Sequence, residues 1–331
     1  MCTVAAASIA ACGGGGGGST GGVAAPAAPV VQVTAQLVTS VPTPTYGATS
    51  EELIAFNYLN AERARCGFGK LAQSVPLDKA AKAHADYQLI NNFLGHFENA
   101  GQYPNGFTGV RPSERIQFQG YQEQGGVTDE IADFLVTNSA KAGAGAKSVR
   151  TLLNAPYHAI AMLRGYRDIG MSIRSNLDVG STQGRVLAQY NLAFKAVDGT
   201  QEVPAGTFSS YPCNGSIGVA PALFDEEPNP VPGRDLRASP LGTQSFFRAG
   251  QSDVLEMVSV KYALKTTGEL VPLRTPLTST VNPNPGNSIG RNEAIISADV
   301  TMLPNTTYIR TTVLKINGLT KTETAEFTTG M

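Results

Sequence analysis

The chain has 331 residues, 42% of them hydrophobic, which is enough for two or three packed domains and too apolar for a disordered protein. Its 25 basic and 26 acidic residues nearly cancel, which argues against the electrostatic footprint of a nucleic-acid binder. No apolar run reaches the ~20 residues that a membrane span needs.

The chain opens with TVAAASIAAC, a short apolar run ending in Ile9-Ala10-Ala11-Cys12. It resembles a bacterial lipobox, in which the Cys becomes the lipidated first residue. No positively charged segment precedes it, as a full signal peptide would require. Residues 1–12 are therefore read as a partial lipoprotein signal segment with lipidation at Cys12. The alternative is a low-complexity tail on a cytosolic protein. Residues 13–48 are a Gly/Ala/Pro-rich linker. Cys2 and Cys12 fall in the leader, which leaves Cys66 and Cys213 as an even pair in the body. In an oxidising envelope these two would bridge, worth at most about 5 kcal/mol by loop entropy. The alternative is two buried thiols.

The first structured element is TSEELIAFNYLNAERARCG, a helix in which Thr49 and Glu52 have capping-box spacing and Gly67 supplies the stop. A second helix runs through VPLDKAAKAHADYQLINNFLG. Pro76 sits at its start, Leu77, Ala81, His84 and Gln88 lie on one face, and Gly95 ends it. His96 lies just beyond. A polar, glycine-rich stretch follows to about Thr128, where TDEIADFLV reads as a helix start. KSVRTLLNAPYHAIAMLRG reads as two short helices broken at Pro156. RDIGMSIRS and RVLAQYNLAF alternate as a strand pair. Residues 49–200 are thus helix-rich first and strand-rich late, an α+β order. Residues 201–242 form a Pro-rich connector. Residues 243–331 carry only strand signal, with Val258, Val260, Tyr262 and Leu264 on one face. Tyr308 in PNTTY resembles the tyrosine corner of an immunoglobulin-like sandwich.

The segments LNAERARCGFGKL, AAKAHADYQLINNFLGH, PSERIQFQGY, EIA and LLNAPYHAIAMLRGYRDIGMSI occur in one order over roughly residues 50–196. Together they resemble the CAP superfamily (cysteine-rich secretory proteins, antigen 5 and pathogenesis-related proteins), in its bacterial secreted branch. The resemblance implies a three-layer α-β-α sandwich. It also implies a cleft of two histidines and two acids that in several members binds a divalent metal. By position the histidines fall on His96 and His158 and the first acid on Glu130. KSVRTLLN offers no second acid, and Glu98 is the candidate to replace it, as a fourth ligand or as a group orienting His96. Two neutral imidazoles and a carboxylate suit Zn²⁺, with Mg²⁺ as the alternative. Without metal, carboxylates beside the histidines would make a pH-sensitive cleft. His84, on an apolar face, reads as a hydrogen-bonded core histidine, and Arg63 and Arg115 read as structural.

No His-Glu-x-x-His, Gly-x-Ser-x-Gly, phosphate-binding glycine loop or Cys-x-x-Cys is present. Three functions follow. The first is an envelope-tethered binding module for a lipid, glycan, peptide or cell-wall component. The second is a metal-dependent hydrolase (peptidase or nuclease) with Glu130 as the candidate catalytic group. The third is a structural envelope protein with a vestigial cleft. The expected location is outside the cytoplasm, anchored to the membrane through lipid.

Overall fold

The computed structural model describes residues 36–122, 124–135, 140–180, 184–284, 286 and 289–331. The leader, with Cys2 and Cys12, and most of the linker lie outside the described residues. The linker's end, from residue 36, is bound to the body: Val38 accepts from Lys70 N at 2.8 Å, and the Tyr46 hydroxyl donates to Asp78 at 2.6 Å. No helix among the described residues is long and apolar enough to cross a membrane.

The first domain contains α1 (Glu51–Arg65), β1 (Ala72–Gln73), α2 (Val75–Ile90), α3 (Pro112–Phe118) and β2 (Gln124–Leu135). These are followed by α4 (Ala144–Asn154), α5 (Pro156–Leu163), β3 (Asp168–Ser175) and β4 (Arg185–Lys195). The strands form one sheet in the order β1-β3-β4-β2. Helices α2 and α3 lie on one face, and α1, α4 and α5 on the other, giving the α-β-α layering. The α1 cap is Ser50, whose Oγ accepts from Leu53 N at 3.1 Å, and not Thr49. Glu52 instead accepts from Ile173 N at 2.9 Å and ties α1 to β3. Helix α2 stops at Ile90, before Gly95, because Asn92 takes a left-handed conformation (φ 48°) that asparagine tolerates.

The segment expected to start a helix at Thr128 is strand β2. The physical reason lies in β4, most of whose residues are buried. A strand sealed in this way must pair its amides and carbonyls on both edges. Strand β3 satisfies one edge, and β2 satisfies the other from Gln124 to Leu135. Local helix-start signals lose to that ladder.

The C-terminal strands are β5 (Phe208–Tyr211), β6 (Ser216–Val219), β7 (Gln244–Ala249), β8 (Leu255–Leu264) and β9 (Leu270–Val271). After them come β10 (Leu277–Thr278), β11 (Glu293–Ser297), β12 (Thr307–Ile316) and β13 (Leu319–Thr329). They form two sheets, β10-β11-β7-β5 and β6-β13-β12-β8-β9. The sheets face each other across Phe247, Ile296, Leu314, Tyr262 and Phe327. The stretch read as a connector thus contributes the edge strands β5 and β6. Val258 faces solvent, because pairing with β12 skips from Ser259 to Met257 and leaves it as the extra residue of a bulge. The Tyr308 hydroxyl accepts from Leu303 N at 2.9 Å.

Candidate functional site

Strand β2 is an edge strand, so residues on both of its faces are reachable from one side of the domain. Side chains alternate along a strand. Asp129 therefore faces the α2 layer and Glu130 the α5 layer, and each meets a histidine.

On the α2 side, His96 Nδ1 lies 2.9 Å from Asp129 Oδ1. Asp129 Oδ2 accepts from the Arg115 guanidinium at 2.8 Å and from Gln189 Nε2 at 3.1 Å. Arg115 also donates to the carbonyl of His96 at 3.0 Å, so it fixes both members of the pair. Burial works against charge on both groups. For Asp129 the His96 hydrogen bond and the positive charges of His96 and Arg115 overcome it and hold the carboxyl below its ordinary value; for His96 the Asp129 hydrogen bond and the charges of Asp129 and Glu130 overcome it and hold the imidazole above its own.

On the α5 side, His158 sits in the first turn of a helix begun by Pro156. Its Nδ1 lies 2.6 Å from Glu130 Oε2, and the other carboxylate oxygen accepts from Thr128 Oγ1 at 3.0 Å. Burial opposes charging of His158, yet the Glu130 bond and the charges of Glu130 and Asp129 raise its pKa to about 8. Each His–carboxylate pair belongs to the electrostatic surroundings of the other.

Glu98 turns away from these pairs. It is buried, with Oε1 2.9 Å from His84 Nδ1 and Oε2 accepting from Thr108 N at 2.7 Å. His84 is itself sealed in the core and also meets the carbonyl of Gly95 at 2.9 Å. Glu98, His84 and Arg115 thus form the buried polar layer beneath His96. Arg63 is likewise fully buried and donates to four backbone carbonyls, those of Gly69, Met162, Arg164 and Phe68.

Two side chains beside the histidines escaped the sequence reading. Asp129 did so because a helical reading of its segment hides the two-sided display of adjacent acids. Glu226 did so because it lies outside the resemblance, in the stretch read as a connector. It is buried, and Oε1 accepts from Tyr157 N at 2.7 Å, capping α5 beside His158. Burial pushes its carboxyl up to about 8, against the pull of His158 and the amides of Tyr157 and His158. The Tyr157 hydroxyl is held by Asn282 at 3.0 Å and Asn284 at 2.9 Å, so the C-terminal region grips the residue next to His158 at two further points.

In each pair a carboxylate meets Nδ1, the partner that metal-held histidines commonly have. The four-ligand set expected from the sequence does not assemble, however. Glu98 serves His84, Glu130 stands behind its histidine, and no group of three or more His, Cys, Asp or Glu among the described residues converges on one point.

Similar solved structures include an outer surface protein from Borrelia burgdorferi, 16% identical with TM-score 0.35, covering 45% of this chain and 96% of that one. Another is an extracellular protein containing an SCP domain from Bacillus anthracis strain Ames, 18% identical with TM-score 0.33, covering 44% of this chain and 40% of that one. No curated protein matches the chain. The model of the cysteine-rich secretory protein (CAP) family matches residues 56–187, the stretch that holds both histidines and their carboxylates. Residues 56–187 are therefore a CAP domain of the cysteine-rich secretory protein family.

Proposed function

We propose that the chain is an exported binding protein whose CAP cleft, along the edge strand β2, takes a polar ligand between His96 and His158. The observation that carries this reading is the pair of histidines, each locked at Nδ1 by its own carboxylate. Such groups orient and discriminate a ligand by hydrogen bonding and charge. Export is supported by the Cys66–Cys213 disulfide, a bond that persists in oxidising compartments. The lipobox-like segment adds lipid anchoring at Cys12, for which Cys12→Ser should release the protein from the membrane fraction.

A thermal-shift screen of lipids, glycans and cell-wall fragments tests the binding reading. A true ligand raises the melting temperature with concentration. The shift should vanish in His96→Ala and His158→Ala. A flat response in every class would refute the binding reading.

A metal-dependent hydrolase is the second reading, favoured by the carboxylate on each Nδ1. Here His96 and His158 would hold Zn²⁺ or Mg²⁺, and the ion would supply Lewis acidity and an activated water. Unchanged Zn²⁺ uptake in His96→Ala and in His158→Ala would refute it.

A further inference from the structure

A second recess, of about 380 Å³, lies where the CAP domain meets the C-terminal sheets. That volume is within the ~300–1,000 Å³ of small-molecule sites. Its wall is built on an ion-pair chain that crosses the junction. Arg164, just after α5, grips Glu293 of β11 with two hydrogen bonds, at 3.0 and 2.8 Å. Arg248 of β7 donates to Glu293 at 2.6 Å and to Glu202 at 2.9 Å. Tyr166 and Phe194, with ring centroids 6.3 Å apart, form the aromatic side.

This wall is selective by its chemistry. Two guanidinium groups and two carboxylates alternate, so their charges cancel. An anion drawn to Arg248 meets Glu202 and Glu293, and a cation drawn to the carboxylates meets the arginines. Arg164, Glu202, Arg248 and Glu293 stand on the same wall as the two rings, so an acyl chain seated there would desolvate four charged side chains and pair none of them. What remains favourable is a neutral ligand with one apolar face for the aromatic side and several hydroxyls for planar, bidentate side chains. The backbone at Gly125 and Gly126 lies directly on the Phe194 ring: a Cβ at these positions would come within 2.3 and 2.8 Å of it, respectively. A side chain at either position would displace that ring, which forms part of the aromatic side.

We propose that this junction recess binds a neutral saccharide unit. The site is separate from the His96/His158 cleft and holds whether or not that cleft binds metal. It is composite, drawn from β2, the turn after α5, the stretch around Glu202, β7 and β11, so the isolated CAP domain would lack it.

The test uses the full chain and NMR-detected titration with cellobiose, maltose and N,N′-diacetylchitobiose. The controls are glucuronate, glucose 6-phosphate and the dipeptide Ala-Ala. Saturable binding of at least one neutral sugar at about 10 mM or below is expected, with no comparable binding of the controls. Thr200→Trp, which fills the recess from its rim, and Tyr166→Ala, which removes the aromatic face, should each weaken that binding at least ~tenfold. Circular dichroism melts confirm that each variant is folded, and the rim variant stands alone if the other is not. Three outcomes overturn the proposal: silence from all three neutral sugars, preference for an anionic sugar or the dipeptide, or sugar binding that survives Thr200→Trp. His96→Ala should leave sugar binding unchanged, which separates this site from the cleft.

Discussion

At His158 burial and charge oppose each other, and charge wins. A folded-state pKa of about 8 against an ordinary 6.5 means that the histidine's contribution is complete below about pH 6.5 and is lost as pH climbs through 8, on the order of 2 kcal/mol. Glu226 runs in the same direction for another reason. Its buried carboxyl keeps its proton to about pH 8, whereas an unfolded one releases it near 4.5, so folding weakens across that interval. Denaturant melts in chelator at pH 5, 6.5 and 8.5 should therefore show stability falling at each step. Glu226→Gln keeps an acceptor for Tyr157 N and cannot ionise. It should abolish about 2 kcal/mol of the loss between pH 5 and 6.5, and a profile parallel to wild type would refute the assignment. Asp129 poses a different problem, since Asp129→Asn takes from the fully buried Arg115 its hydrogen-bonded carboxylate at 2.8 Å and leaves it only Glu98, 3.9 Å away. A loss of about 3–5 kcal/mol is expected in urea melts. Loss of the Asp129 charge should also bring the His96 pKa down in an NMR titration. A loss under 1 kcal/mol with an unmoved His96 would show that the pair is incidental.

Elements fixed by their own periodicity and caps could be read from the chain; those fixed by a neighbour could not. Helices α1 and α2, the α4–α5 break at Pro156 and the β3–β4 pair follow from spacing, proline and alternation within each segment. Strand β2 follows from the needs of β4, and reading it as a helix concealed Asp129, while Glu130 was named by its position in the family resemblance. His96 and His158 were legible because ordered motifs flank them. Glu98 looked like a ligand by proximity in sequence, but a buried histidine fourteen residues earlier claims it. At α1 the two candidate caps are adjacent, and only geometry separates them. Ser50→Ala should cost about 1 kcal/mol, the usual worth of an N-cap side chain, while Thr49→Ala should cost a few tenths or less. Equal costs in chemical denaturation would restore Thr49 to the cap.

Across the whole molecule, the CAP domain does not close its own core. Tyr211, Phe246, Ile289 and Ile295, all beyond residue 200, lie in the same hydrophobic cluster as Phe56, Phe68, Leu152 and Met162. Phe68 stacks on Phe246 with ring centroids 6.0 Å apart. Covalent and polar ties follow the same seam: the Cys66–Cys213 bridge, the Arg164–Glu293 ion pair, Glu226 on α5 and Gln244, whose amides reach Asn154 and Leu153. Burying four large apolar side chains is worth ~1.5–3 kcal/mol each, which is comparable to the whole stability of an ordinary domain. A chain cut after residue 200 therefore exposes that face, frees α5 from its cap and leaves Cys66 unpaired. It should aggregate or melt far below the full chain, although it contains every residue of the family match. Reducing the bridge in the intact chain is a milder insult, because the apolar seam stays closed. Cys66→Ser with Cys213→Ser should lower stability by about 2–5 kcal/mol yet leave a cooperative unfolding transition. Calorimetry distinguishes the two cases. If the truncated chain were to melt cooperatively near the full-length temperature, the C-terminal sheets would be an appendage, and the composite recess and the Glu226 cap would lose their structural basis.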